Sequence, residues 1–288
     1  MEVERLDDLE LLNVDLGSGY SSKVFLARHR RTGVRYAIKL VDLGRRHKSE
    51  ITNISRELLT HKNLRHPHIV RLITWFHRSN KLYIVLEHVE RGNLFELNKR
   101  LLSEEEIAAI FFQVASGVGF LHANGIIHRD IKPENVLIDA HNRMKLCDFG
   151  FCAPFGKDIV RKTLCGTKEY LSPEILLSGL QNEKVDVWCL GVLLYELLHK
   201  KTPFSGKSPL AFERDLRGGR LAIEPLVHAD FRAIITRCLA FEPEQRPTVD
   251  EILAAPIFTR FKAREQPPVL CQPKPSHRAA DPRPFAQR

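Results

Sequence analysis

The first part of the chain, residues 9–86, alternates short apolar runs with clusters of Gly, Asn and Arg. Short apolar runs between turn-forming residues are typical of β-strands. One stretch differs, because Ile51, Ile54 and Leu58 recur at the spacing of one face of a helix. The pattern predicts a small β-rich region that carries a single helix.

Beyond residue 92 the apolar residues take a helical spacing. Ser103 and Glu106 form a capping box at the start of one helix, and an apolar stripe continues it as far as His122. The residues of that stripe are Ile107, Ile110, Phe111, Val114, Val118 and Leu121. A second apolar helix is predicted at Val187–Leu198, so the larger part of the chain is predicted to be helical.

Composition limits the kinds of protein that fit these patterns. With 288 residues, 43% of them hydrophobic, the chain is long enough for a sizeable core and lies near the size at which chains divide into two lobes. The longest apolar stretch, Val187–Tyr195, has nine residues, which is too short to cross a bilayer, and no signal peptide is visible. No membrane association is therefore expected.

Cysteine spacing and charge bear on where the protein acts. The six cysteines show no short paired spacing of the metal-binding or redox kind, which favours a reducing compartment, the cytoplasm or the nucleus. The net charge of +9 suits acidic partners, but basic and aromatic residues do not interleave as they do on nucleic-acid-binding surfaces. We therefore interpret the charge as a solvated basic surface and expect no direct nucleic-acid binding.

Two polar motifs stand out against the apolar pattern. Residues 127–135 read Ile-His-Arg-Asp-Ile-Lys-Pro-Glu-Asn, and an Asp-Phe-Gly tripeptide begins at Asp148, thirteen residues after Asn135. Phosphoryl transfer from a nucleotide to a hydroxyl needs a carboxylate that orients the hydroxyl, a cation near the γ-phosphate and oxygen ligands for Mg²⁺. Asp130, Lys132, and the pair Asn135 and Asp148 supply these groups, so the motifs predict a phosphotransfer site.

The motifs resemble those of the eukaryotic protein kinases, and the resemblance covers residues 9–262. It implies a site that binds ATP with Mg²⁺, in which Asn135 and Asp148 hold the metal. It also implies a glycine-rich loop over the phosphates, to which Gly17 and Gly19 contribute two of the three usual glycines. The residues implied to bind the nucleotide are Leu16, Gly17, Ser18, Gly19, Val24, Ala37, Lys39, Glu57, Leu86, Glu87 and Val89.

Lys39 and Glu57 have linked roles in this resemblance. Lys39 ends an alternating, strand-like segment and would contact the α- and β-phosphates. Glu57 flanks the apolar stripe of the predicted helix and would orient Lys39. In the hinge, backbone groups around Glu87 and Val89 would bind the adenine edge, with the Leu86 side chain at the back of the pocket.

The resemblance further implies an α+β, bilobal protein kinase fold with a small β-rich N-lobe and a larger helical C-lobe. The implied divisions are a short lead (1–8), the N-lobe (9–86), the hinge (87–92), the C-lobe (93–262) and a tail (263–288). Six of the sixteen prolines fall in the last 22 residues, so the tail is predicted to be basic and disordered. Within the C-lobe, Asp186 would anchor the catalytic loop, and Glu174 would pair with Arg246.

Lys132 and Thr167 indicate Ser/Thr specificity, because both would bracket Asp130 and the incoming hydroxyl. Residues 161–174 and 183–188 resemble the Aurora kinases most closely, with the polo-like and other basophilic Ser/Thr kinases as alternatives. A polo-like kinase would carry a substrate-docking domain after the catalytic one, whereas only a short tail follows here. An Aurora-like enzyme would act in chromosome segregation and spindle checkpoint control.

Thr163 is the predicted activating phosphosite, which the kinase would phosphorylate itself, in trans. Arg161 stands two residues before Thr163, as in a basic substrate. A phosphate there would bring about −1.5 to −2 charges and would bind Arg129, beside the catalytic Asp, and Arg56, on the helix of Glu57. Binding both arginines would draw that helix towards the catalytic loop.

Glu134 and Glu196 are predicted to receive an Arg two or three residues before the phosphorylated hydroxyl, since a guanidinium and a carboxylate form a charge-assisted bidentate pair. Either Glu could instead be an ordinary surface or structural residue. The expected partners are protein substrates with basic residues upstream of Ser or Thr, and an activating or targeting protein on the N-lobe.

Three positions depart from the kinase pattern. Ser22 stands at the place of the third glycine, Ser172 replaces the usual Ala before Pro-Glu, and His61 stands where a hydrophobic or amide side chain is usual. The rival of a different class is a pseudokinase scaffold, whose signature would be a missing Lys, Asp or Asn. None of these is missing, and only salt-dependent DNA retention without ATP would revive a nucleic-acid-binding role.

Overall fold

The computed structural model describes the following residues: 3–19, 22–44, 46–149, 153–154, 168–177, 181–204, 211, 214–215, 217, 221–224 and 227–262. They form two compact units. The N-terminal unit comprises the described residues up to 66 together with 70–88, and the C-terminal unit comprises 67–69 and the described residues from 89 onward. The predicted boundaries of lead, lobes and hinge stay predictions, and the predicted tail lies outside the described residues.

The N-terminal unit is built on a five-stranded antiparallel sheet with the strand order β1-β2-β3-β5-β4. The strands are β1 (Leu9–Gly19), β2 (Ser22–His29), β3 (Arg35–Asp42), β4 (Leu72–Arg78) and β5 (Lys81–Glu87). Short connections join β1 to β2, β2 to β3 and β4 to β5, whereas a helix separates β3 from β4. This sheet is the β-rich region that the short apolar runs predicted.

Alternation along the strands gives the sheet two apolar faces. One face packs with Val3, which comes from the segment before β1, in a cluster that includes Tyr36, Ile38 and Val85. The opposite face packs against helix α1 (Lys48–Lys62). Leu58 of that helix is buried in the second cluster with Leu43, Leu72, Leu82 and Ile84, and Ile51 and Ile54 are partly buried against it. The predicted apolar stripe of α1 is therefore its sheet-facing side.

The C-terminal unit is mainly helical. Its helices are α2 (Leu94–Asn98), α3 (Glu104–Ala123), α4 (Pro173–Leu177), α5 (Lys184–His199), α6 (Ala229–Cys238), α7 (Val249–Leu253) and α8 (Thr259–Lys262). Two short antiparallel pairs accompany them, β6 (Ile126–Ile127) with β9 (Ala153–Pro154) and β7 (Val136–Ile138) with β8 (Met144–Leu146). The prediction of an α+β fold with a small β-rich part and a larger helical part is confirmed.

Helix α3 begins as the capping box predicted. The Ser103 hydroxyl accepts a hydrogen bond from Glu106 N (3.2 Å), and the Glu106 carboxylate accepts one from Ser103 N (2.9 Å). The residues of the apolar stripe of α3 are buried, and all of them except Leu121 belong to the main core of the unit. The predicted helix and its start are therefore confirmed.

Helix α5 begins at Lys184, three residues before the predicted start at Val187. The additional first turn contains Asp186, which is fully buried although it is charged, so the apolar pattern could not reveal it. Gly191 in the same helix lies against α6, where a Cβ atom would come within 2.7 Å of the Cys238 Cβ. The missing side chain thus allows the two helices to approach closely.

Among the described residues, α3 is the one helix with the length and apolar composition needed to cross a membrane. It is a longer apolar helix than the stretch Val187–Tyr195 that the sequence singled out. Buried core helices meet the same criterion, and 61% of the apolar window of α3 is buried inside the protein.

Candidate active site

In the N-terminal unit, the sheet places four of the predicted nucleotide-binding side chains on one face. Strand pairing sets Val24 opposite Lys39, and Ala37 opposite Leu86. Because Ala37 and Lys39 are two residues apart on β3, their side chains point to the same face of the sheet. Val24, Ala37, Lys39 and Leu86 therefore share one face, as a site for a flat base followed by phosphates would require.

The glycine-rich segment forms the end of the β1–β2 hairpin. Gly17 pairs with Val24 and has φ of +157°, a conformation that a side chain would strain. The Asp15 carboxylate accepts a hydrogen bond from Gly17 N (2.8 Å), which fixes the chain entering the segment. Leu16 is 42% exposed beside it. Gly19 pairs with Ser22. The side chain of Ser18 is not among the described parts of the structure.

Helix α1 carries Arg56 and Glu57, whose side chains are also outside the described part of the structure. The predicted contact between Lys39 and Glu57, and the role of Arg56 in binding phosphate, stay predictions. His61, one turn after Glu57, is buried, and its Nε2 lies 2.7 Å from the carbonyl oxygen of Val70. That hydrogen bond joins the end of α1 to the residues that lead into β4.

At the predicted hinge, the backbone N–H of Glu87 donates to the carbonyl of Arg71 (3.0 Å), and its carboxylate accepts from Arg71 N (2.8 Å). The Glu87 amide is thus engaged with the chain before β4. The backbone group that Glu87 would offer to an adenine edge is its carbonyl. Val89 is the first residue of the longer segment of the C-terminal unit.

In the C-terminal unit, the predicted catalytic residues surround one carboxylate. Lys132 Nζ lies 3.0 Å from Asp130 Oδ1, and Asn135 Nδ2 donates to Asp130 Oδ2 at 2.7 Å and to its backbone oxygen at 2.8 Å. The side chain of Asp130 is only 10% exposed. Asp130 is therefore held between the amino group of Lys132 and the amide of Asn135, with its position fixed before any substrate arrives.

A second buried carboxylate, Asp186, holds the backbone of this loop. Asp186 accepts from His128 N (2.8 Å) and Arg129 N (2.7 Å), as the predicted anchor should. His122 Nε2 also lies 2.9 Å from Asp186. Burial disfavours the charge on Asp186, but the hydrogen bonds from His122 and Arg129 and the charges nearby lower the pKa of Asp186 below its ordinary value.

Sequence reasoning missed the role of His122, which was noted only as the end of the stripe in α3. Its signal was weak, because the partner of His122 lies 64 residues further along the chain.

Arg129, the predicted phosphate ligand, is half-buried next to Asp186, and its backbone has φ of +70°. A non-glycine residue in this left-handed region costs about 1–3 kcal/mol, and such strain is concentrated at functional sites.

Asp148 is tied to the same loop through its neighbour, Cys147. Cys147 N donates to the Asn135 carbonyl (2.9 Å), and the Cys147 carbonyl accepts from His128 Nε2 (3.1 Å). His128 Nδ1 accepts from Asp130 N (3.3 Å), which assigns the proton of the neutral ring to Nε2. Asp148 itself has φ of +59°, the second left-handed residue of the site.

A magnesium ion fits the donor set of this site. Because the Asn135 amide nitrogen bonds twice to Asp130, the oxygen of the same amide points away from Asp130 and can act as a hard ligand. Asp148 adds a carboxylate. Within the described ranges, no group of three or more His, Cys, Asp or Glu could hold a metal. Magnesium sites shared with nucleotide phosphates need only one or two protein ligands, so the two residues suffice.

The predicted ion pair of Glu174 and Arg246 is confirmed. Arg246 donates to both carboxylate oxygens at 2.7 and 2.8 Å, and its side chain is fully buried. Lys184 Nζ donates to the carbonyls of Arg246 and Pro247 (2.8 and 3.1 Å), a contact that sequence reasoning missed. The pair fixes α4 to the chain that leads into α7.

Glu196, one of the two predicted arginine receptors, accepts a hydrogen bond from the Tyr170 hydroxyl (2.5 Å). Burial raises the pKa of Glu196, the hydrogen bond from Tyr170 lowers it, and the nearby charges of Glu134 and Glu169 raise it further. Burial and the charge of Glu196 raise the pKa of Tyr170 well above its usual value. Glu134, the other predicted receptor, is exposed. Sequence reasoning did not find Glu169, the third carboxylate of this group.

The predicted phosphosite Thr163, the Arg161 before it and the specificity residue Thr167 lie outside the described residues. The predictions that concern them are therefore untested by the structure.

Known protein families and proteins match the part of the sequence that contains these residues. The family description "Protein kinase domain" matches residues 12–258, which include every described residue of the site. The chain is 38% identical over 260 residues to an Aurora kinase of Schizosaccharomyces pombe, which covers 86% of this chain and 70% of that protein.

Two further relatives show how wide the similarity is. An Aurora kinase of Encephalitozoon cuniculi is 34% identical over 270 residues, or 92% of this chain and 98% of that protein. CBL-interacting protein kinase 19 of Oryza sativa subsp. japonica is 36% identical over 252 residues, or 85% of this chain and 49% of that protein.

Proposed function

Because the chain belongs to the protein kinase family and is an Aurora-like Ser/Thr kinase, we propose that it acts in chromosome segregation and spindle checkpoint control. The observation that carries its activity is the intact loop in which Asp130 is held between Lys132 and Asn135. A pseudokinase scaffold would lack one of these groups. The proposed places of action are the nucleus and the cytoplasm.

The proposed cofactors are ATP and Mg²⁺, which when bound supply the γ-phosphoryl group and a cation that neutralises phosphate charge. Asn135 and Asp148 would hold the metal ion. Asp130 orients the substrate hydroxyl and accepts its proton, while Lys132 stabilises the charge that develops beside it. Lys39 in the N-terminal unit is the proposed ligand of the α- and β-phosphates.

Activation is proposed to follow phosphorylation of Thr163 by a second copy of the kinase. Arg129 and Arg56 are the proposed phosphate ligands, and Glu57 follows Arg56 directly on α1. Thr163→Ala should lower activity without unfolding the chain, and mass spectrometry should find Thr163 phosphate in active protein but not in an Asp130→Asn variant. Full activity of Thr163→Ala would contradict this mechanism.

The proposed substrates carry Arg two or three residues before the phosphorylated Ser or Thr. Glu134 and Glu196 are the proposed receptors, and the charges of Glu134 and Glu169 close to Glu196 support a cation-binding role. A peptide array should show faster phosphorylation with Arg than with Ala or Glu upstream. Equal rates for the three would reject the preference.

The cellular role is tested by depletion and rescue. Loss of the protein should disturb chromosome alignment, wild-type protein should restore it, and an Asp130→Asn variant expressed at the same level should not. Normal alignment after complete depletion would contradict the proposed role, and it would leave the chemistry of the site to be judged by the peptide assay.

A further inference from the structure

The turn between β2 and β3 presents a threonine at the surface of the N-terminal unit. His29 N donates to the Val34 carbonyl (2.8 Å), and Gly33 N donates to the His29 carbonyl (2.9 Å), which closes the turn around Thr32. Thr32 is exposed, and its hydroxyl oxygen accepts a long hydrogen bond from Val34 N (3.4 Å). The hydroxyl therefore lies in solvent and is held weakly.

The same hairpin concentrates positive charge. Arg28 and Arg35 stand directly opposite each other on β2 and β3, and like charges at such positions destabilise a sheet. Arg28 pairs with Glu10 of β1 (2.8 Å), but that pair is exposed and offsets little of the repulsion. Among the described residues, Arg31 and Arg35 form no ion pair. The hairpin thus carries positive charge that its neighbours do not neutralise.

Arg30 stands two residues before Thr32, and Arg31 directly precedes it. This is the arrangement that the proposed function assigns to substrates, with an Arg two residues before the hydroxyl. One turn thus combines an exposed threonine hydroxyl, a cluster of positive charges and an Arg two residues before the threonine. We propose that Thr32 is a second autophosphorylation site, modified in trans by another copy of the kinase, and this inference rests on the proposed substrate preference.

Phosphorylation of Thr32 forms one P–O bond and breaks one. The Thr32 oxygen forms a bond to the γ-phosphorus of ATP while the bond from that phosphorus to the β-phosphate bridge oxygen breaks. ADP leaves, and the hydroxyl proton passes to Asp130 of the modifying copy.

The phosphate would act on the hairpin through charge. It brings about −1.5 to −2 charges and three acceptor oxygens to a turn flanked by Arg28, Arg30, Arg31 and Arg35. It thereby offsets the repulsion between Arg28 and Arg35. Phosphorylation of Thr32 stabilises the N-terminal unit, and added salt weakens that effect by screening the charges.

The turn also sets the rate of the modification. Thr32 N donates to His29 Nδ1 (3.2 Å), so the chain around the hydroxyl is folded back rather than extended. The turn must open before a second copy can bind it. A free peptide of residues 28–36 is therefore phosphorylated faster than Thr32 in the folded chain.

The test uses the whole 288-residue chain as both enzyme and substrate. An isotope-labelled Asp130→Asn chain is incubated with active wild-type kinase, ATP and Mg²⁺, and phosphate on the labelled chain is mapped by mass spectrometry. Thr32 should be modified, and Arg30→Ala in the labelled chain should lower that modification about tenfold, the effect of losing a charge-assisted pair. Arg31→Ala is the matched control, because it removes the same charge one residue later. It should change the phosphorylation of Thr32 less than about twofold.

The outcomes separate this inference from the proposed function. If the free peptide is not phosphorylated at all, the substrate preference itself fails. If the peptide is phosphorylated but Thr32 in the folded chain stays unmodified while Thr163 takes phosphate, the Thr32 proposal alone is overturned. Equal losses for Arg30→Ala and Arg31→Ala would overturn the recognition step.

A second measurement does not depend on the enzyme assay. In a Thr163→Ala background, the chain phosphorylated at Thr32 should melt about 1–3 °C higher than the unmodified chain at low salt, with little difference near about 1 M NaCl. An unchanged or lower melting temperature at low salt would contradict the charge argument.

Discussion

At the scale of single residues, the informative positions are charged or polar groups that are buried. Asp130 and Asp186 are nearly or fully buried, and each has several hydrogen-bond partners that fix the position of its carboxyl group. Ser172 is different. It is fully buried, and among the described residues its hydroxyl has no hydrogen-bond partner.

Ser172→Ala should stabilise the protein, because a buried hydroxyl without a partner costs about 1–3 kcal/mol and Ala has nearly the same volume. The gain should appear as a higher urea midpoint with an unchanged slope. A lower midpoint would show that the hydroxyl has a stabilising partner. Ser103→Ala is a suitable contrast, because that hydroxyl accepts a hydrogen bond and its loss should act in the opposite direction.

At the scale of elements, local spacing predicted the helices well, whereas distant partners such as Glu174 and Arg246 were predicted only through the family resemblance. The start of α3 follows from Ser103 and Glu106, which lie within one turn and cap each other. The start of α5 was missed because its first turn contains Asp186, a buried polar residue. The hydrogen-bond partners of Asp186, among them His122, lie on other elements. Spacing along the chain reveals apolar faces, but it does not reveal which buried charge will meet which donor.

The cap of α3 can be tested alone. Ser103→Ala removes the acceptor for Glu106 N and should lower the free energy of unfolding by about 1 kcal/mol. Ser103→Asp keeps an acceptor at the helix start and should retain most of the stability. Urea unfolding followed by circular dichroism measures both changes. Equal stability of the two variants would show that the cap contributes little.

At the scale of the whole molecule, the two units carry different parts of the proposed machinery. The face with Lys39 belongs to the N-terminal unit, whereas Asp130, Asn135 and Asp148 belong to the C-terminal unit. The order of these motifs along the chain was enough to predict the family and the α+β fold. The activation segment that would distinguish subfamilies lies largely outside the described residues, so Thr163 stays a prediction.

The preference for Arg should depend on pH. Because burial and neighbouring carboxylates raise the pKa of Glu196, it takes up a proton at a higher pH than an ordinary Glu. The neutral form cannot pair with Arg, so the ratio of rates on Arg and Ala peptides should fall as the pH is lowered, and the fall should begin at a higher pH than for an ordinary Glu. Glu196→Gln should give a low ratio at every pH. A wild-type ratio that stays constant would exclude Glu196 as the receptor.

The most direct test of the account compares nucleotide binding with turnover in wild type and Asp130→Asn. Calorimetry would measure the Kd for ATP with Mg²⁺, and a radiometric assay would measure kcat on an Arg-containing peptide. Because Asp130 orients the hydroxyl while Lys39, Asn135 and Asp148 hold the nucleotide and metal, the Kd should change less than about threefold while kcat falls about 10²–10⁴-fold. Near-normal turnover of Asp130→Asn would contradict the assignment of the site.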